Sequence, residues 1–272
     1  MPPQRPESQA LSPQDELIAF AARLADAAGA VVRSYFRAEL AVEDKADRTP
    51  VTLADREAEA TIRRLIEAEH PDHGVVGEEH GADRPEAEHV WVLDPIDGTK
   101  RFITGNPLFG TLIALLRRGA PVLGVIDMPA LGERWIGAEG RPTRFLAGGK
   151  VREVAARPCA ALDQAILSAT SPDMFAGPDL AAFERVRRAA KTTLYGGDCY
   201  NYALVAGGHA DLVIEARMSA YDFLALVPVV AGAGGVMSDW AGRPLGLESD
   251  GRVAAAGDPG LHAQALDLLR AG

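Results

Sequence analysis

Cysteine is scarce in this chain. There are two, Cys159 and Cys199, far apart and in no Cys-x-x-Cys pair. They offer no paired thiols for redox or metal chemistry, and two reduced thiols in a reducing cytoplasm are the expectation. Long apolar runs are missing as well. Nothing approaches the ~18 consecutive apolar residues that a membrane span requires. The opening "MPPQRPESQALSPQ" lacks the apolar segment of a secretory signal. Positive charge is in deficit: 28 Lys and Arg stand against 38 Asp and Glu, for a net charge of −10. A nucleic-acid binder needs the opposite, a basic stripe. Repeats and low-complexity tracts are absent too. The expectation is a cytoplasmic protein that engages neither membrane nor nucleic acid, and its acidic balance suits one that collects divalent cations.

What remains is an ordinary globular composition, 47% hydrophobic and 24% charged over 272 residues. That length serves one large domain or two modest ones. Residues 1–13 read as a loose, Pro-rich lead-in. Gln14 to Phe36 reads as a helix, because Leu17, Phe20, Leu24, Ala28, Val31, Val32 and Tyr35 recur at helical spacing. "DRTPVTLAD" reads as a loop leading into a helix over Ala54–Glu69, stopped by Pro71. Strands follow at Gly74–Gly77 and "HVWVLD", then a hairpin in "LFGTLIALLRRGAPVLGVIDMP", then "ERWIGAEGRPTRFLAG". From about Val154 strand and helix alternate, with helices expected at Asp179–Ala190, Cys199–Gly207, Tyr221–Ala233 and Pro259–Arg270. The first part, 14–153, is thus α+β and the second, 154–272, is α/β, with a subdomain boundary between them.

The stretch "WVLDPIDGTKRF", Trp91 to Phe102, carries the chemistry. A buried strand runs out into Asp94, a second carboxylate follows at Asp97, and Gly98 then frees the backbone to turn. Two like charges this close repel, and neither is buried cheaply alone, so a cation between them is expected. Glu78 stands at the end of "VVG", and Asp222 at the start of "YDFLALVPVV". Oxygen donors with no Cys or His among them suit Mg²⁺ rather than zinc. Around Asp97, Gly98 and Thr99, successive N–H groups could converge on one oxyanion. A cation site beside a phosphate site implies phosphate chemistry. A single aspartate of this kind, Asp222 included, is most often a turn or N-cap residue. It is the combination that carries weight.

"GEE" followed by "WVLDPIDGTKRF", "VTLAD" ending at Asp55, and "AYDFLALVPVVAGAGGVMSDWAG" together resemble the inositol monophosphatase family, the Mg²⁺-dependent, lithium-sensitive phosphatases. The likeness runs from about residue 14 to the last helix. It implies a layered αβαβα sandwich of the inositol monophosphatase and fructose-1,6-bisphosphatase type. It implies one Mg²⁺ on Glu78, Asp94 and the Ile96 carbonyl, a second on Asp94, Asp97 and Asp222, and a third, weaker ion helped by Glu78. The phosphate cradle would be Asp97, Gly98 and Thr99. Thr99 and Asp55, with Glu78 and its cation, would orient and activate the water that attacks phosphorus in line. A homodimer is implied as well.

Within the family, "DGTKRFITGNPLFGTLIALL", "GERWIG", "TSPDMF", "YGGDCYNYAL" and "YDFLALVPVV" look most like histidinol-phosphatases. The implied reaction is hydrolysis of L-histidinol phosphate to L-histidinol and phosphate. Histidinol is cationic near neutral pH, so its pocket wants carboxylates. Asp198 and Glu215 lie where the family contacts the alcohol, and Lys100 would add positive charge near the phosphate. An N-cap for the following helix is the other reading of Asp198. Competing substrates are inositol monophosphate, a nucleotide 3′-phosphate and a sugar phosphate. A different class of reading is an idle metal- or phosphate-binding protein. His70, His73 and His80 straddle Pro71 and Gly74 and read as plain loop histidines. Cys199 reads as structural.

Overall fold

A computed structural model describes residues 11–38 and 50–271. Residues 1–10 of the expected lead-in, and Asp47 to Thr49 of the expected loop, lie outside the described residues. Helix α1 spans Pro13–Tyr35: the Ser12 side chain accepts the Asp15 N–H, and Pro13 sits in the first turn, where a missing N–H costs nothing. The helix thus starts one residue before the expected Gln14. Helix α2 spans Pro50–Glu69, starting a full turn before the expected Ala54 for the same reason of proline at the start. Asp55 is thereby a helical residue rather than the end of a loop. The two helices run antiparallel, since Arg23 meets Glu69 and the Tyr35 hydroxyl donates to Glu57.

Eight strands then make one sheet: β1 Gly74–Gly77, β2 Gly81–Asp83, β3 His89–Asp97, β4 Gly110–Arg117, β5 Ala120–Met128, β6 Glu133–Ala138, β7 Arg141–Ala147 and β8 Lys150–Glu153. Their order is β2-β1-β3-β4-β5-β6-β7-β8, antiparallel except where β1 pairs with β3. A short helix, α3 Thr99–Ile103, interrupts the run after β3. Trp91, Leu93, Ile113, Leu115, Leu123 and Val125 face α1 and α2. The alternate positions Val90, Val92, Leu112, Ala114, Leu116 and Ile126 face the other way, into a second core. Covering both faces is why these strands read as unbroken apolar runs.

The remaining chain supplies β9 Ile166–Ala169, α4 Gly177–Ala189, β10 Thr192–Tyr195, α5 Cys199–Ala206, β11 Leu212–Glu215, α6 Ala220–Phe223, α7 Leu226–Gly232, β12 Val236–Ser238, β13 Val253–Ala256 and α8 Pro259–Arg270. Its five strands form a mixed sheet in the order β10-β9-β11-β13-β12. Val213, Val253 and Ala255 face α5 and α7, in the core that those helices share with the large sheet. Leu212, Ile214, Ala254 and Ala256 face α4 and α8 through Phe183, Val186, Leu261 and Ala265. The layers are helices, sheet, helices, sheet, helices: an αβαβα sandwich.

The helix expected over Tyr221–Ala233 is two helices, α6 and α7. Pro228 has no N–H to return to the Leu224 carbonyl four residues back, so the helical ladder breaks there. The α6–α7 junction lies tight on the large sheet. Gly124 of β5 pairs with Gly137 of β6, and the Ala225 and Pro228 main chain rests on the smooth patch they make. A Cβ at Gly124 would fall 1.9 Å from the Ala225 carbonyl oxygen, and one at Gly137 would fall 2.2 Å from that of Pro228.

Candidate active site

In a regular strand, residues three apart point to opposite faces. Asp94 and Asp97 are three apart on β3, yet they reach the same place. The register explains it: Asp94 pairs with Leu112 and Asp97 with Gly110, so β3 spends one more residue than β4 between the two pairings. This bulge resets the alternation. It contains Pro95, which a regular ladder would not accommodate, and the Pro95 carbonyl accepts the Thr111 hydroxyl at 2.8 Å. The strand therefore continues past Asp94, where the apolar run stops.

Asp222 arrives from the other half of the chain. It is not the N-cap of α6 but its third residue: Ser219 is the N-cap, and the Asp222 carboxylate accepts the Ser219 N–H at 2.7 Å in a capping box. One ligand oxygen each from Asp94, Asp97 and Asp222 lies within 4.8 Å of the others. The Ile96 carbonyl, between the two β3 aspartates, accepts the Thr99 hydroxyl at 3.3 Å. Glu78 follows β1, and its carboxyl faces Asp94 and Asp222. Asp55 on α2 is 5% exposed, and its Oδ1 has no partner among the described residues.

This cluster is short of positive charge. Among the described residues no Lys, Arg or His pairs with any of the five carboxylates. Burial first, then the surrounding carboxylates, push Asp94 well above the usual carboxylate range. Burial, then Asp198 and Asp222, do the same to Asp97. Loss of solvent raises Asp55 to about 8, Glu78 to about 7 and Asp222 to about 6, with neighbouring acids adding to the first two. Glu78 is exposed as a residue, but protein crowds its carboxyl end.

Next to the cluster the chain turns at Gly98, whose φ of 83° belongs to glycine. The first turn of α3 follows, so the main-chain N–H groups of residues 98–100 have no partner four residues back. A side chain at Gly98 would also crowd Asp198, whose carboxyl carbon would be 3.3 Å from its Cβ. Asp198 occupies the N-cap position of α5 without capping it. Its carboxylate instead takes the Arg101 Nε–H at 3.0 Å, and its backbone is strained at φ 49°. Burial raises its pKa even though Arg101 opposes the shift.

Glu215, at the end of β11, is 2% exposed, and both its oxygens are engaged. It accepts the Thr170 N–H at 2.7 Å and the Tyr202 hydroxyl at 2.8 Å. Burial lifts it to about 7. Lys100 is exposed. The sequence reading gave no role to Arg101, Tyr202 or Glu59. Glu59 had a signal: with Asp55 it makes an acidic pair four apart on an otherwise apolar helix face of Ala54, Ala58 and Ile62. His70, His73 and His89 stack in a ladder well apart in kind from the carboxylate cluster, with ring centroids 4.6 and 4.9 Å apart.

Residues 13–271 match the sequence pattern of the inositol monophosphatase family. The chain belongs to that family. It is 49% identical over 264 residues to the bifunctional phosphatase IMPL2 of Arabidopsis thaliana, covering 94% of this chain and 75% of the relative. It is 37% identical to a histidinol-phosphatase of Mycobacterium tuberculosis, covering 96% and 100% of the two chains. A solved inositol monophosphatase from Zymomonas mobilis superposes with a TM-score of 0.88 at 48% identity, covering 96% of this chain and all of that one. Inositol monophosphatase family members are Mg²⁺-dependent phosphatases of small phosphorylated substrates. The residues here fit such an ion. The donors are hard oxygens, they converge, and their raised pKa values mark the charge a cation would balance. No helix among the described residues is long and apolar enough to cross a membrane.

Proposed function

We propose that this phosphatase hydrolyses L-histidinol phosphate. The observation that carries the reading is the acidic group beside the phosphate turn: Asp198 lies directly against Gly98, with Glu215 buried behind it. A phosphomonoester held at the turn would set its alcohol next to Asp198, and a cationic alcohol is the one a carboxylate there suits; Glu215, with both oxygens engaged, would act only from behind. The histidinol-phosphatase relatives support the same substrate.

Asp94, Asp97, Asp222, Glu78 and the Ile96 carbonyl would hold Mg²⁺, as two or three ions. Bound there, Mg²⁺ supplies Lewis-acid neutralisation of phosphoryl charge and makes water more acidic. The chain's own groups do the rest. The N–H groups around Gly98 and Thr99 orient the phosphoryl oxygens. Thr99 Oγ1 would hold the attacking water in line, and Asp55, whose Oδ1 has no partner among the described residues, would receive the proton passed through that hydroxyl. Lys100, which is exposed, would add positive charge near the phosphate.

One observation favours a second substrate. Arg101 already neutralises Asp198, which leaves the pocket more tolerant of a neutral polyol such as inositol monophosphate. Phosphate release from histidinol phosphate, inositol 1-phosphate, a nucleotide 3′-phosphate, a sugar phosphate and p-nitrophenyl phosphate, with and without Mg²⁺, separates the readings. A preference for histidinol phosphate in kcat/KM is expected. A preference for a neutral alcohol would replace this assignment, and no turnover of any would leave a binding protein.

A further inference from the structure

Glu59 has no exposed surface. It stands one turn after Asp55 on α2, outside the cluster of candidate ligands. A buried carboxylate persists only where partners meet it, and Glu59 has several. Its Oε2 accepts the Glu79 N–H at 2.8 Å. Its Oε1 accepts the His80 N–H at 3.2 Å and the Arg63 Nε–H at 2.7 Å, and the His80 Nδ1 is 3.4 Å from the same oxygen. Gly77 packs flat against the carboxylate: a Cβ there would fall 2.1 Å from Oε1.

These contacts grip the segment that presents Glu78. On one side, Gly77 is paired with Leu93 on β3, and the Glu78 N–H donates to the Leu93 carbonyl at 3.3 Å. On the other side, the two residues after Glu78 donate their amides to Glu59. Glu78 thus sits between two fixed points. Without Glu59, its following peptide groups would be held only farther along, where Gly81 pairs back on Gly77 and its carbonyl accepts the Arg63 guanidinium at 2.5 Å.

We propose that Glu59 is a positioning residue. It sets the backbone of Glu78 so that this carboxylate meets Asp94 and Asp222 before any cation arrives. The proposal rests on the Mg²⁺-dependent phosphatase reading and deepens it. Partners of this kind, one step behind the ligands, govern metal affinity by ~10–100-fold.

The test is Mg²⁺ titration by calorimetry, well below the melting temperature, on the full chain. Glu59→Gln puts an amide donor against one of the two N–H groups. Gly77→Ala pushes the Glu59 carboxylate off its seat without altering it. Both variants should bind Mg²⁺ ~10–100-fold more weakly. In EDTA, the Glu79 and His80 amides should exchange hydrogen faster than in the wild type. Arg63→Gln removes the counter-ion and the contact to the Gly81 carbonyl, but leaves both Glu59 acceptors aimed at the Glu79 and His80 amides. It should lower the melting temperature and keep Mg²⁺ affinity within a few-fold. Unchanged affinity in Glu59→Gln and Gly77→Ala would overturn the proposal. So would an equal loss in all three variants, which would assign the effect to helix stability. A wild type that binds no Mg²⁺ would instead overturn the phosphatase reading beneath it.

Discussion

Asp97 Oδ2 accepts the main-chain N–H of Cys199 at 2.7 Å, across 102 residues of sequence. A carboxylate from the large sheet thereby caps the first turn of α5, a helix of the other half. Asp198, at the usual capping position, is freed to meet Arg101. The seam between the two sheets and the candidate cation site share one residue.

Removing charge from this cluster should separate stability from activity. Asp94 is 2% exposed among like charges. Asp94→Asn should raise the melting temperature in EDTA at alkaline pH, where the wild-type carboxyl must ionise among like charges. It should also abolish the gain that Mg²⁺ gives the wild type and lower turnover by at least ~10–100-fold. Thermal scans with and without Mg²⁺ check this. A variant less stable than the wild type in alkaline EDTA would mean that the repulsion is already relieved.

Metal removal should stop the reaction. Turnover should vanish in EDTA and return with Mg²⁺. Binding should also release protons, since carboxyls raised above their usual range must ionise to take a cation. Calorimetry in buffers of different ionisation enthalpy measures that release. Full activity in metal-free buffer would rule out the cation site.

The pH profile without metal follows from the sign of the shifts. Asp55 is raised to about 8, Glu78 and Glu215 to about 7, and Asp222 to about 6. The folded state therefore holds protons that the unfolded chain has lost. That stabilisation is complete below the ordinary carboxyl range near ~4 and disappears as pH rises through the folded values. Melting temperature in EDTA should fall from pH 5 to pH 9, and Mg²⁺ should flatten the fall. A flat profile in EDTA would contradict the burial of these groups.

Substrate choice should turn on Asp198. A charge-assisted contact to a cationic alcohol is worth ~1.5–3 kcal/mol. Asp198→Asn should lower kcat/KM for histidinol phosphate by roughly 10–150-fold and spare p-nitrophenyl phosphate. Arg101→Ala, which frees the carboxylate, should lower KM for histidinol phosphate and not for inositol 1-phosphate. A uniform change across substrates would remove Asp198 from the alcohol pocket.

The strands and helices were legible because apolar spacing marks them, and their layering came from the family resemblance. Runs such as "WVL" and "TLIALL" have no polar face to lose, so their strands are plain in the sequence. The acidic residues were legible as a set because "GEE", "DPIDGT" and "YD" stand at element ends. What the sequence hid was geometry made by other segments. The bulge that turns Asp94 and Asp97 the same way depends on the β4 register. The Arg101–Asp198 pair and the Glu59 grip each need a distant partner that spacing alone does not reveal, whereas the Ser219-x-x-Asp222 capping box was there to be read. Pro50 does carry a helix-start signal, but its neighbour loop drew it into the wrong element.

Gly124 and Gly137 contribute nothing to the chemistry, yet they decide how closely the α6–α7 junction lies on the large sheet. Asp94 belongs to the sheet and Asp222 to α6. The bite of the candidate cation site is therefore set by the thickness of an interlayer seam, as the jaws of a vice are set by its screw. One methyl group on either glycine would add a shim to that seam. The chain would keep every acidic residue and lose the shared grip, because the two jaws would face each other across too wide a gap.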